Sequence, residues 1–279
     1  MKKNCLFCFL LFFSCHSAFA DERLDSLLNV LDKTIKEADT YVQIKESKLH
    51  ELKREARKAA PFSIERYHLN NDIYLEYKAY SSDSALHYLN ENLLLARQLN
   101  DKERELKIQL ELSYLLSSIG MYMEAADILN SIDRQTLPTS LLGHYYTCYE
   151  HVYSEAGAAQ PRYKMFASRY VKLSHVYRDS MEVTLDSSSA TYLWLRETQL
   201  REAGKYDEAM EFSDRRLAEA SFGTPQYALV AYQRFRLFES MGKKDEHLYY
   251  LVLSAISDVR SAIKEQSSLM VLALSLIHI

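Results

Sequence analysis

Six Gly and four Pro in 279 residues are too few for the tight turns of a β-sandwich or barrel, which argues against an all-β fold. Charge of one sign is also missing: 34 Lys and Arg face 38 Asp and Glu, a formal net charge of −4. That balance leaves no basic footprint for nucleic acid. Cysteine is scarce, and three of the four (Cys5, Cys8, Cys15) fall in the first twenty residues. No apolar run is long enough to cross a bilayer as a helix. Also missing are a Gly-rich phosphate loop, a His-Glu-x-x-His pair and a Gly-x-Ser-x-Gly elbow. What remains is a chain that is 48% hydrophobic and 26% charged, enough apolar mass for a core and too much for disorder.

Residues 1–20 read as a secretory signal peptide. Lys2 and Lys3 precede the apolar stretch Leu6–Phe13, and Ser17-Ala18-Phe19-Ala20 offers small residues for cleavage after Ala20. A lipid on Cys15 is the alternative, but Phe12-Phe13-Ser14 fits poorly before it. Cleavage leaves 32 basic against 38 acidic residues, −6, and Cys148 alone. One cysteine cannot form an internal disulfide, so packing must supply the stability. The expected address is the periplasm.

The rest reads with helical period and predicts ten to twelve helices. Leu24, Leu27, Leu28, Leu31 and Ile35 step by three and four. Leu106, Leu110, Ser113, Leu116 and Ser117 form another face, with a small-residue edge. Pro61, Pro138, Pro161 and Pro225 each precede or open a periodic run, and Thr224-Pro225 is a helix start. Gly120, Gly204 and Gly242 each end one run before another begins. Residues 21–60 are a charged helical pair, apolar only at scattered points such as Val42, Ile44, Leu49 and Leu52. A solvated pair capping the domain edge fits them best; a dimerising coiled coil is the alternative.

Three segments share a pattern: Gly120-Met121-Tyr122-Met123-Glu124-Ala125, Gly204-Lys205-Tyr206-Asp207-Glu208-Ala209, and the degenerate Gly242-Lys243-Lys244-Asp245-Glu246-His247. Asp83-Ser84-Ala85 matches its end. The spacings Ala85 to Ala125 to Ala209 to His247 are 40, 84 and 38, which implies a weakly marked repeat near Ala167. Physically, Gly ends one helix, Tyr packs on the turn, and Ala lets two helices approach. Such pairs bury their apolar seams only by stacking.

The pattern resembles the Gly-x-Tyr-x-Glu-Ala hinge of the tetratricopeptide repeat. It implies an all-α fold: an α-solenoid of antiparallel helix pairs over residues 61–268, about five pairs in all. The first-helix signature is weak, and a period near 40 exceeds the family's usual one. A closer resemblance rests on Leu24-Asp25-Ser26-Leu27-Leu28, Leu31-Asp32-Lys33-Thr34-Ile35, Tyr41-Val42-Gln43-Ile44-Lys45-Glu46 and Leu49-His50-Glu51-Leu52-Lys53. It is to the extracytoplasmic half of a Bacteroidetes family of helical-repeat, membrane-anchored regulators with a C-terminal domain of unknown function. That resemblance implies a non-enzymatic sensor region of a transcriptional regulator, anchored in the inner membrane by a later helix missing from this chain. A periplasmic scaffold without signalling output is the alternative. Residues 269–279 end in mid-pattern, so a truncated reading frame is expected, and Leu274–Ile279 resembles translated adapter sequence.

Candidate chemistry is sparse, and no cofactor or metal is expected. His144, Cys148 and His151 share a helical face, but three ligands from one helix close a tetrahedron badly. Glu103/Glu105 and Glu208/Glu211 read as solvated carboxylates. Twenty-one Tyr is a high count. Tyr74, Tyr77 and Tyr80 recur every third residue; Tyr163, Tyr170 and Tyr177 recur every seventh and are candidate groove contacts, with core packing as the alternative. The expected partner is a protein, peptide or glycan on the concave face, and a homodimer is open. The hinge residues Gly120, Tyr122, Ala125, Gly204, Tyr206, Ala209 and Gly242 are structural.

Overall fold

The computed structural model describes residues 22–160, 162–263 and 267–277. Its described residues form thirteen α-helices and one 3-10 turn, without a strand. That is one more than the ten to twelve the sequence pattern predicts; the N-terminal pair divides at Glu37, and a further helix forms at 267–277. The signal-peptide segment and Pro161 lie outside the described residues.

Helix α1 spans 22–36 and α2 Ala38–Lys58. Then come α3 (Ile64–Tyr77), α4 (Ser82–Gln98), α5 (Lys102–Ser118) and α6 (Tyr122–Ser131). A 3-10 turn at Arg134–Thr136 leads to α7 (Thr139–Ala158) and α8 (Lys164–Thr184). The chain closes with α9 (Ala190–Glu202), α10 (Tyr206–Glu219), α11 (Pro225–Ser240), α12 (Lys244–Arg260) and α13 (Ser267–Ile277). Among the described residues no helix is long and apolar enough to cross a membrane.

The start of α11 is capped as the sequence predicts, and α5 has a side-chain cap of the same kind. The Thr224 hydroxyl accepts from the Tyr227 N–H at 3.2 Å with Pro225 as first helical residue, and the Asp101 carboxylate accepts from the Arg104 N–H at 3.0 Å. The ends of α5, α9 and α11 are each closed by a left-handed glycine. Gly120, Gly204 and Gly242 have φ of 86°, 74° and 70°. The next N–H in each case reaches back five residues: Met121 to the Leu116 carbonyl at 2.9 Å, Lys205 to Leu200 at 2.9 Å, Lys243 to Phe238 at 3.0 Å. A Cβ on any of these glycines would meet nothing within 4 Å, so the backbone angle alone demands Gly.

The repeat register is visible in the second helix of each pair. Ala85, Ala125, Ala167, Ala209 and His247 are each the fourth residue of α4, α6, α8, α10 and α12. Tyr122 and Tyr206 both open their helices. The weakly marked repeat at Ala167 is therefore present. Ala85, Ala125 and Ala209 have no exposed surface, while Ala167 and His247 are half-buried, which is why their marks are degenerate.

The chain forms two compact units. One spans Glu46–Leu195. Its core includes Leu110, Ala125, Leu129, Cys148 and Met181. The face foreseen around Ser113 is buried throughout, and the Ser113 hydroxyl donates to the Ala125 carbonyl at 3.0 Å, bringing α5 and α6 close. In the same unit α2 docks on α3 and the turn after it: Lys53 donates to the Tyr77 hydroxyl and the Tyr80 hydroxyl to Glu46, both at 2.5 Å. The other unit combines residues up to Lys45 with Arg196–Ile279. There Leu31 of α1 joins Phe235, Leu251, Val252, Ile256 and Leu272 in one core. The leucine stripe of α1 thus packs on the last helices rather than facing solvent.

Candidate ligand-binding face

Within the unit spanning 46–195, α3, α5 and α7 are the first helices of three successive pairs. Adjacent faces of these helices carry a strip of polar and aromatic side chains. At its centre Glu111 of α5 accepts from the Tyr74 hydroxyl of α3 at 2.7 Å and from the Lys78 ammonium at 3.2 Å. His144 Nε2 of α7 lies 3.7 Å from the other carboxylate oxygen. Lys78 Nζ also sits 5.0 Å from the centroid of the Tyr114 ring. One turn along, the Tyr114 and His151 rings stack 4.0 Å apart, and Ser118 Oγ lies 2.9 Å from His151 Nε2. Lys78, Glu111, Tyr114, His144 and His151 are all half-buried, open on one side and packed on the other.

Charge in the strip is set by burial and by Lys78. Burial pushes the Glu111 carboxyl up, but Lys78, His144 and the Tyr74 hydroxyl outweigh it and hold it below the usual range. Burial pulls His144 down against the pull of Glu111. Burial, with Lys78 adding to it, takes His151 down to about 4. Both imidazoles are therefore neutral at pH 7, so Glu111 has Lys78 as its charge partner and the Tyr74 hydroxyl as a neutral hydrogen-bond donor. Burial pushes the Tyr114 hydroxyl up to about 12 and raises the half-buried Glu155 carboxyl, one turn beyond His151.

Ser118 and His151 could be mistaken for a nucleophile and its base. Ser118 Oγ donates to the Tyr114 carbonyl at 2.9 Å. A hydroxyl has one proton, so His151 must donate from Nε2 to Ser118 Oγ. An imidazole that protonates only near pH 4 is also a weak base at neutrality. The geometry suits fixed recognition better than proton transfer.

The other residues singled out by sequence are dispersed. Cys148 is fully buried beneath the strip, its thiol pushed up by burial and bonded to the Leu110 carbonyl at 3.4 Å. Each of His144, Cys148 and His151 thus has a partner of its own, and among the described residues no group of three His, Cys, Asp or Glu could hold a metal. Tyr177 stacks on Tyr149 at 4.6 Å and Tyr170 on Tyr153 at 6.2 Å, both between α7 and α8. Tyr163 is exposed at the start of α8. Glu208 and Glu211 are solvated as expected, and so is Glu103. Glu105 is not: it is half-buried between Arg97 and Lys102, both at 2.9 Å.

Sequence reading missed Lys78, Glu111, Tyr114 and Ser118. A signal existed: Tyr74 and Tyr114 each lie eleven residues before a hinge alanine, Ala85 and Ala125. It also missed two buried ion pairs, Glu150–Arg178 at 2.8 Å between α7 and α8, and Glu197–Arg216 at 2.5 Å between α9 and α10.

The family described as the SusR N-terminal TPR domain matches residues 35–278. No curated protein matches the chain. A crystal structure of nearly identical TPR-like repeats, from a Podosopora anserina protein of kinesin-light-chain type, is similar at 16% identity and a TM-score of 0.36. The alignment covers 71% of this chain and 97% of that one.

Proposed function

The chain belongs to the SusR N-terminal TPR-domain family, and on that premise we propose that it is the extracytoplasmic sensor region of a membrane-anchored regulator. Its work is binding, without catalytic turnover. The ligand is a protein, peptide or glycan, held on the face built by α3, α5 and α7. The observation that carries this reading is the strip around Lys78, Glu111, Tyr114 and His151, where a paired charge lies beside a stacked ring. Aromatic faces beside fixed polar groups suit peptide backbones and sugar rings.

Signalling needs a ligand that binds two arrangements of the helix pairs unequally. Stacked pairs touch only their neighbours, so a ligand spanning three first helices biases their packing together. The biased unit would then act on a membrane helix later in the full-length protein, with a cytoplasmic regulatory domain beyond it. The periplasm is the corresponding address.

The test is calorimetric titration of the purified chain with panels of oligosaccharides and peptides. The expected result is saturable binding by at least one class, weakened at least about tenfold by Lys78→Ala or by His151→Ala. Binding that survives both variants unchanged places the ligand elsewhere. Sequencing the intact locus tests the anchoring: about 20 apolar residues followed by a basic segment are expected downstream.

A further inference from the structure

Helix α8 presents an unusual stripe to solvent. Met165, Arg169, Lys172, Val176, Asp179 and Val183 follow one another at alternating steps of four and three, and all six are exposed. The apolar members are not grazing the surface: Met165 is 75% exposed, Val176 58% and Val183 82%. The opposite face of α8 is fully used. Ser174, Arg178 and Met181 are buried against the rest of the unit, with Arg178 paired to Glu150. A stripe at heptad spacing on an outer face is the pattern that seats a second helix.

The stripe is complementary to itself when reversed. Residues equidistant from Ser174 are Lys172 and Val176, Arg169 and Asp179, Met165 and Val183. Turned antiparallel about the level of Ser174, apolar side chains meet at both ends and opposite charges meet between. The Lys172 stem covers Val176 of the other copy while its ammonium reaches outward to water. A parallel arrangement would set Arg169 against Arg169 and Asp179 against Asp179. Charge therefore selects one orientation, and that orientation has the two-fold symmetry of a closed dimer.

From this self-complementarity we infer that α8 is a homodimer interface, its partner being α8 of a second copy, antiparallel, with Arg169 of each facing Asp179 of the other. One helix face buries less than the roughly 1,200–2,000 Å2 of a stable interface. The dimer is accordingly weak, forming within the micromolar range. It leaves the α3, α5 and α7 face free, so it stands or falls apart from the ligand reading.

Analytical ultracentrifugation of the purified chain over about 1–200 μM tests it. The wild type should shift from monomer to dimer across that range. Arg169→Asp sets like charges against each other twice per dimer and should weaken association at least about tenfold. Adding Asp179→Arg should restore it, and circular dichroism should be unchanged throughout because both sites are exposed. Cysteine pairs give the orientation. Met165→Cys with Val183→Cys should form intermolecular disulfides, whereas Val183→Cys alone should not, since the two copies of residue 183 would lie about 27 Å apart along the helices. A monomer at about 200 μM overturns the proposal. So does a dimer indifferent to Arg169→Asp, or efficient cross-linking through Val183→Cys alone.

Discussion

The Tyr114 and His151 rings lie parallel within 10°, their centroids 4.0 Å apart. The stack joins α5 to α7 and covers one face of the imidazole. That one contact links packing, charge state and the candidate ligand face, and it gives the chain a definite pH response.

His151 protonates near pH 4 in the folded chain against 6.5 for the free group. Between those values the unfolded chain binds a proton that the native chain refuses. Stability from this site is therefore complete above about pH 6.5 and is lost as pH falls toward 4, by at most about 3 kcal/mol. Asp258 acts in the opposite sense. Burial raises its carboxyl to about 6, from 3.8. Its contribution is complete below pH 3.8 and is lost as pH rises through about 6. Urea denaturation at a series of pH values should show that His151→Phe, which keeps the stack, flattens the acid decline. Asp258→Asn should stabilise the chain above pH 6 by about 1–2 kcal/mol.

Glu197 and Arg216 form a pair that is 4% and 5% exposed at the side chain, so neither is compensated by water. Glu197→Gln strands the guanidinium and should cost about 3–5 kcal/mol in denaturant midpoint analysis. Replacing both by Met should cost clearly less, because no buried charge remains.

The hinges give a prediction that separates backbone from packing. Gly120→Ala should cost about 1 kcal/mol, since φ of 86° disfavours any Cβ although the space is open. Ala125→Leu and Ala209→Leu crowd sites with no exposed surface and should cost about 1–3 kcal/mol each. Ala167→Leu, at the equivalent but half-open position, should cost less. Equal costs at all three would contradict the looser packing at Ala167.

That register was legible from spacing alone, because a hinge needs Gly for its backbone angle and Ala for its close approach. The repeat at Ala167 was faint for a physical reason. The α7 end at Ala159 keeps a right-handed φ of −69°, so no Gly marks it. The candidate face was not legible as a unit. Lys78, Glu111 and His144 lie some 33 residues apart, and only the lateral packing of first helices brings them together. Glu105 read as solvated because its spacing is that of an exposed face, while Arg97, which shelters it, comes from the preceding helix. Leu31 and its neighbours read correctly as one apolar stripe, but periodicity could not say that the stripe would pack on α11 and α12.

The most direct test of the account is where a partner touches the chain. A benzophenone side chain placed at Tyr114, on the first-helix face, and separately at exposed Leu94 on α4, can be photolysed in the source cells. The account predicts a light-dependent adduct with one partner at position 114, absent at position 94. Adduct formation at 94 but not at 114 would contradict it.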